Sequence, residues 1–404
     1  MSKRPLVKQE EILVEACRII LTSQNGQRML TVAKTKALLG RIGIPLSILL
    51  SFQTLAQTLD ETRKSATQGD AEAQLQLAEA YAKGEGVTKD PVEAMKWCRR
   101  AAEQGNARAQ NALGVAYRLG EGVAKDAAEA VKWYRKAADQ GLGEACFNLG
   151  KMYLTGEGVA RDASEAMKRF RSAAVQGIRP AQFNVGSGYW RGEGVPKDKT
   201  EALKWFRSAA DQGDQEAMHA LALMYYAGEG APKDDAEAAR WFRMAANLGD
   251  VQAQTSLGMR YAKGEGVTRD PAEALKWWRK AADQGDAEAQ NNLGVVYYQG
   301  EMVTKDVAEA AKWWGKAAEQ GHPVAQNNLG TLCLKGESVP KDVVLAYKWF
   351  TLAARGGSET AEANQKEVAL DLTPRQMIDG LRLVREFKPQ PTTAHHEDPL
   401  DSFR

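Results

Sequence analysis

Between Gly69 and Gly356 the apolar and polar positions recur with a fixed 36-residue period, eight times over, without an insertion or deletion. Copies begin at Gly69, Gly105, Gly141, Gly177, Gly213, Gly249, Gly285 and Gly321. In the sixth copy Ala253, Leu257 and Tyr261 stand at repeat positions 5, 9 and 13, four residues apart, the stripe of an amphipathic helix. Asp250 is placed to cap its start, and Gly264 stands where a left-handed residue would end it. A second stripe follows at Ala274, Trp277, Trp278, Ala281 and Ala282, the i, i+3, i+4, i+7, i+8 face of another helix. Its entry reads Asp270-Pro271-Ala272-Glu273, which predicts an N-cap aspartate, a first-turn proline and a capping box. The cap aspartate recurs at Asp90, Asp126, Asp162, Asp198, Asp234, Asp306 and Asp342.

Each copy is therefore one helical hairpin that cannot bury its apolar faces alone and must stack on its neighbours. Position 5 is alanine in all eight copies and position 10 is Gly or Ala, small enough for helix backbones to approach closely. Position 29 is Trp97, Trp133, Trp205, Trp241, Trp277, Trp313 and Trp349, with Arg169 in the third copy, where a weaker interface is expected. Burying about 150–250 Å² per indole gives roughly 4–6 kcal/mol gross as an upper bound, so these are core residues. The link GEGVTRD is not a phosphate loop, because acidic Glu265 lies between its glycines and the next helix starts several residues later. Gly264 and Gly266 read as turn residues, with Val267 plugging the hairpin.

The recurring text A…LG..Y..GEGV.KD..EA.KW.RKAA.QG strongly resembles the Sel-one-like repeat family, relatives of the tetratricopeptide solenoids. The match spans residues 69–356, with small departures at Met302, Ser338, Cys333 and Arg169. The resemblance implies an all-α, right-handed superhelical solenoid of eight helix-turn-helix repeats that serves as an adaptor for protein complexes, in bacteria often exported. Disulfide-rich members with paired cysteines in each repeat exist. This chain lacks that pairing. Residues 57–68 and 357–387 read as capping half-repeats with polar outer faces, the last helix starting at Thr373-Pro374 and running to about Phe387. The tail 388–404, with three prolines and little apolar content, reads as disordered.

Composition adds exclusions. The chain is 26% charged and 44% hydrophobic, ordinary for a soluble protein. Residues 1–56 carry eight Lys/Arg against three Asp/Glu and the remainder 46 against 49, so the body offers no basic stripe for nucleic acid. Cys17, Cys98, Cys146 and Cys333 form no CxxC and point to isolated thiols rather than a zinc site. His395-His396-Glu397-Asp398 reads as solvated tail, so neither metal nor cofactor is expected. No HExxH or G-x-S-x-G occurs, and Ser338-Val-Pro-Lys341 is a turn variant rather than a catalytic S-x-x-K. The chain is read as a non-enzymatic, monomeric scaffold. A cell-envelope protein binding cell-wall glycan or peptide is the alternative, and a hydrolase is unsupported.

In this repeat class the first helices line the concave face, and positions 4, 7, 11 and 14 share a stripe beside the buried one. They also differ most between copies. Copies three to five place Phe147, Lys151, Leu154, Phe183, Ser187, Trp190, Arg191, His219, Leu223 and Tyr226 there, an expected exposed wall for a protein or peptide. Upstream, Met29–Ala56 has a basic start at Lys34, Lys36 and Arg41, an apolar run from Ile42 to Leu55, and small Thr54 and Ala56 at signal-peptidase spacing. The run is too short and too broken by Pro45, Ser47 and Ser51 for a stable membrane span. This predicts translation from Met29, cleavage after Ala56 and a periplasmic or secreted product; a start at Met1 and a cytoplasmic chain is the alternative. N-terminal sequencing of the expressed protein should return a chain beginning at Gln57, whereas one beginning before Met29 ends the export reading.

Overall fold

The structure, a computed structural model, describes residues 58–390, and over that span it contains helices and turns without a strand. Contacts divide the chain into two compact units, one up to Gln104 and one from Gly105 onward. The first unit holds a helix at 58–67 and the hairpin Ala71–Lys83 with Pro91–Glu103. The second unit carries seven hairpins. Their first helices are Ala107–Leu119, Gly143–Thr155, Arg179–Arg191, Gln215–Ala227, Val251–Lys263, Ala287–Gln299 and Pro323–Lys335. Their second helices are Ala127–Asp139, Ala163–Ala174, Lys199–Asp211, Asp235–Asn247, Pro271–Asp283, Val307–Glu319 and Val343–Arg355. Glu359–Asp371 and Pro374–Glu386 follow, both packed on Val343–Arg355. From the third repeat on, each first helix packs on its own hairpin partner and on the second helix of the preceding repeat, the series packing of a solenoid.

Local chemistry sets the helix ends. Aspartate caps every second helix by accepting N–H bonds of the first turn, as Asp270 does from Ala272 and Glu273. Glycine in the left-handed region closes every first helix, Gly264 at φ 76° among them. Asp250 accepts from the Ala253 N–H at 2.6 Å, as its position predicts. The expected reciprocal capping box is formed only at Thr373–Gln376 among the described helices. At the repeat entries the glutamate is drawn elsewhere: Glu273 accepts from Lys276 at 2.7 Å and from the Trp277 indole at 3.1 Å.

Position 10 holds the hairpins together. A Cβ added to Gly114, Gly150, Gly186, Gly258, Gly294 or Gly330 would lie 2.4–2.8 Å from the ring at position 30 of the same repeat, respectively Tyr134, Phe170, Phe206, Trp278, Trp314 and Phe350. The ring sits in the hole that the missing side chain leaves. The first repeat has Ala78 there and the smaller Cys98 opposite, a compensated pair; the fifth fits Ala222 with Phe242. The second loop glycine has a different task. A Cβ on Gly158, Gly194, Gly230 or Gly266 would fall 1.8–2.3 Å from a main-chain carbonyl at the start of the preceding second helix. These loops therefore lie backbone against backbone on the previous repeat, which leaves them no room to cradle a phosphate.

Polar links join consecutive repeats. The side-chain amides of Gln182, Gln254, Gln290 and Gln326 donate to carbonyls in the last turn of the previous second helix, at 3.0–3.2 Å. Three of these glutamines accept in turn from Gln212, Gln284 and Gln320 of their own repeats, at 2.7–2.8 Å. The guanidinium groups of Arg135, Arg243 and Arg279 donate to the hydroxyls of Tyr153, Tyr261 and Tyr297 in the next repeat, at 2.6–2.8 Å.

The position-29 tryptophans are buried except Trp205, which is half-buried. Arg169 replaces the indole by charge: it donates to Glu165 at 2.8 Å and reaches Asp139 of the second repeat at 3.2 Å. Cys98, Cys146 and Cys333 are buried thiols in separate repeats, and burial pushes Cys98 up to about 12. Such thiols stay protonated near neutrality and are poor nucleophiles.

The glycine hole makes a paired prediction. Gly186→Val drives methyl groups into Phe206 and should cost about 1–3 kcal/mol. Gly315→Ala, on a helical face with nothing within 4 Å of the new carbon, should gain about 0.5–1 kcal/mol. Urea unfolding midpoints of the two variants, moving in opposite directions, check both.

Candidate interaction surface

The first helices of repeats three, four and five, Gly143–Thr155, Arg179–Arg191 and Gln215–Ala227, carry the residues expected to form a wall. Three of them are not on a surface. Phe183 is fully buried and packs against Phe206 with ring centroids 5.4 Å apart. Ser187 lies in an uninterrupted buried run from Ala181 to Gly188, where Gly186, Ser187 and Gly188 are small enough for neighbouring helices to close on every side. His219 is buried, edge-on to Phe242 at 5.6 Å, with Nδ1 3.4 Å from the Asp250 carboxylate of the next repeat. Position 7 thus points at the ring in position 30 of its own hairpin rather than outward.

At position 14, Leu154, Trp190 and Tyr226 are half-buried, as are Lys151, Arg191 and Leu223 beside them. Phe147, at position 7, is half-buried too, with its ring 5.9 Å from that of Phe170. Cations stand over the aromatic members: Lys199 at 4.9 Å and Lys197 at 5.8 Å from the Trp190 ring, Lys233 at 5.3 Å and Arg260 at 3.8 Å from Tyr226, and Lys151 at 5.5 Å from Phe147. At these distances a cation is held by the ring quadrupole. Ion pairs tie the charges within and across repeats. Glu193 takes Arg161 at 2.8 Å and Arg191 at 3.5 Å, and Lys199 meets Glu229 at 2.7 Å.

Sequence reasoning missed Arg161, Glu193, Lys199 and Arg260. Arg260 had a readable signal. It occupies position 12, where the other copies carry Ala, Met, Gly, Val or Leu, and it is 5% exposed, paired with Glu265 and stacked on Tyr226. A buried arginine keeps its charge and needs such partners. Among the described residues no cluster of three His, Cys, Asp or Glu could hold a metal ion, and no helix is long and apolar enough to cross a membrane. What the arrangement offers is apolar area edged by fixed charge.

A profile of the Sel1 repeat family matches eight times, at residues 71–106, 107–142, 143–177, 179–214, 215–250, 251–286, 287–322 and 323–358. The chain belongs to the Sel1 repeat family. Among solved structures it is similar to a Sel1 repeat protein from Oxalobacter formigenes, with 33% identity over 78% of this chain and 93% of that one and a TM-score of 0.60. It is also similar to a protective antigen of uropathogenic Escherichia coli strains displaying the SLR fold, with 32% identity over 81% and 94% of the two chains and a TM-score of 0.51. Comparison with curated proteins gave no match.

The His219–Asp250 contact sets a pH dependence. Burial pushes the Asp250 carboxyl up, but the His219 ring, the Ala253 N–H and Gln215 outweigh it, and the group titrates below its ordinary value. A folded-state pKa below the unfolded one, about 3.9, contributes stability that is present above that pH and lost as pH falls through the folded value. The Tm advantage of the wild-type chain over Asp250→Asn, which keeps a capping side chain, should therefore shrink between about pH 5 and about pH 2. Thermal melts of both chains across that range measure it.

Proposed function

We propose that the chain is a non-enzymatic scaffold that holds a protein or peptide partner along the first-helix face of repeats three to five. The row of half-buried Phe147, Leu154, Trp190 and Tyr226 on consecutive helices, with lysine and arginine over its rings, carries this reading. Aromatic area with anchored cations is the chemistry of interface hot spots. Membership of the Sel1 family, whose members generally serve as interaction scaffolds, supports the class of function. The buried cysteines and the capping role of the recurrent aspartates leave these residues with structural work.

Export belongs to the same reading. Its sequence basis, Met29–Ala56, lies outside the described residues. Export is supported by the occurrence of Sel1 repeat proteins in periplasmic or secreted forms.

Trp190→Ala with Tyr226→Ala should lower partner recovery roughly tenfold or more while helical circular dichroism stays the same. Affinity recovery with mass spectrometry, wild type against the double variant, reads this. Undiminished recovery overturns the assignment of this face. Phe183→Ala should instead cost about 3–5 kcal/mol of stability, because it empties a filled interior site.

A further inference from the structure

The last repeat carries a second aromatic platform, apart from the face discussed above, and the chain itself lies across it. In four other repeats the position-29 indole is roofed by a cation one turn ahead at position 32. Arg100 lies 4.5 Å from Trp97, Lys136 4.1 Å from Trp133, Lys280 4.3 Å from Trp277 and Lys316 4.0 Å from Trp313. Repeat eight has Leu352 at that position. It also has Leu345 where other repeats carry the glutamate that engages the position-28 lysine, so Lys348 turns onto Trp349 instead, at 3.9 Å.

A second cover over Trp349 comes from beyond the last helix. After Glu386 the chain turns extended at Phe387 (φ −64°, ψ 127°), and the Phe387 ring meets Trp349 edge-on at 5.7 Å, with Lys348 5.3 Å from the same ring. Pro389 packs beside Gly321. Gln390 donates its main-chain N–H to the Glu319 carbonyl at 2.9 Å and its side-chain amide to the Glu319 carboxylate at 3.0 Å. That carbonyl stands at the end of a helix, where no intrahelical donor reaches it. An aromatic anchor, a proline on a glycine and main-chain bonding are the means by which an extended peptide is held. The 388–390 part of the tail, read from sequence as disordered, is thus seated.

We propose that the Trp349–Lys348–Glu319 surface is a docking site for an extended segment of a partner protein that carries an aromatic residue two before a proline. The chain's own Phe387–Gln390 occupies the site in the partner's absence and must be displaced. The segment is a suitable occupant to exchange, because Phe387 is half-buried and residues 388–390 are exposed. Burial pushes the Lys348 amine down.

The probe is a fluorescein-labelled peptide of residues 384–393, followed by anisotropy against the full chain. Phe387→Ala should bind it roughly tenfold or more tightly than the wild type, since its own anchor is gone. Gln390→Glu, which sets a carboxylate against Glu319 and leaves the apolar contacts alone, should shift affinity in the same direction. The peptide with its phenylalanine replaced by alanine should not bind. Leu352→Lys added to Phe387→Ala restores the cation roof of the other repeats and should abolish binding with helical content unchanged. A folded Phe387→Ala chain that ignores the peptide, or binding indifferent to Leu352→Lys, overturns the proposal. So does a wild-type dimer in light scattering that Phe387→Ala converts to monomer, since the occupant would then be a second copy's segment.

Discussion

The contact on which six of the eight hairpins depend is an aromatic ring pressed onto a glycine. With no Cβ at position 10, the two helices close until the ring at position 30 touches main chain, and even one added carbon would lie 2.4–2.8 Å from the ring. Interiors packed at crystal density cannot absorb such a change by drifting apart. Pairwise variation follows from the same constraint. Where the ring is lost at Cys98, Ala78 fills the hole. Where it is an indole, at Trp278 and Trp314, the Nε1–H donates to the carbonyl of Thr255 or Asn291 at position 7. Where it is phenylalanine, in repeats three to five, position 7 is Phe147, Phe183 or His219, each stacked on it within 5.9 Å.

Between hairpins the glue is partly polar. The glutamines at positions 6 and 36 satisfy each other and the end of the neighbouring helix, so their burial leaves few amide groups unbonded. The fifth repeat replaces both members, with Met218 buried at position 6 and Leu248 at position 36. Swapping two bonded polar partners for two apolar ones avoids the orphaned amide that a single change would leave. Arg169 follows similar logic. It takes over the hydrogen bond to the position-25 glutamate that the indoles of Trp241 and Trp277 make, and adds a bond to Asp139 in place of apolar area.

The helices, their caps and the hairpin turns could be read from residue types because they obey local rules. An aspartate before a first turn and a glycine in the left-handed region act through their own backbone neighbours, as Asp270 and Gly264 do. The site was legible only in part. Position 7 varies among copies, and variation suggested exposure; its cause is the changing ring opposite, a tertiary pairing that a single helix stripe does not display. Position 14 varies as well, and there Trp190 and Tyr226 do reach the surface. The cations over those rings come from the hairpin turn, the start of the second helix and the adjacent repeat, at separations no helical period encodes, which is why Lys199 and Arg260 went unnoticed. Phe387 was readable as the end of a helix but not as a roof, because its partner Trp349 lies 38 positions upstream.

Function in such a stack is confined to what packing does not use. Position 30 is committed to the glycine hole, positions 5 and 9 to the core, and positions 2, 16 and 22 to helix ends. In the position-29 series the indole is spoken for as well, roofed by its own repeat's cation wherever position 32 is basic. Repeat eight departs at Leu345 and Leu352 together, and both departures fall around a single indole. One change removes the lysine's acidic partner, so that Lys348 moves onto Trp349, and the other removes the position-32 cation; the rest of the indole's cover comes from Phe387, beyond the hairpin. The chain covers it with four residues held by one ring contact and two hydrogen bonds, few enough for a competing segment of the same chemistry to replace them.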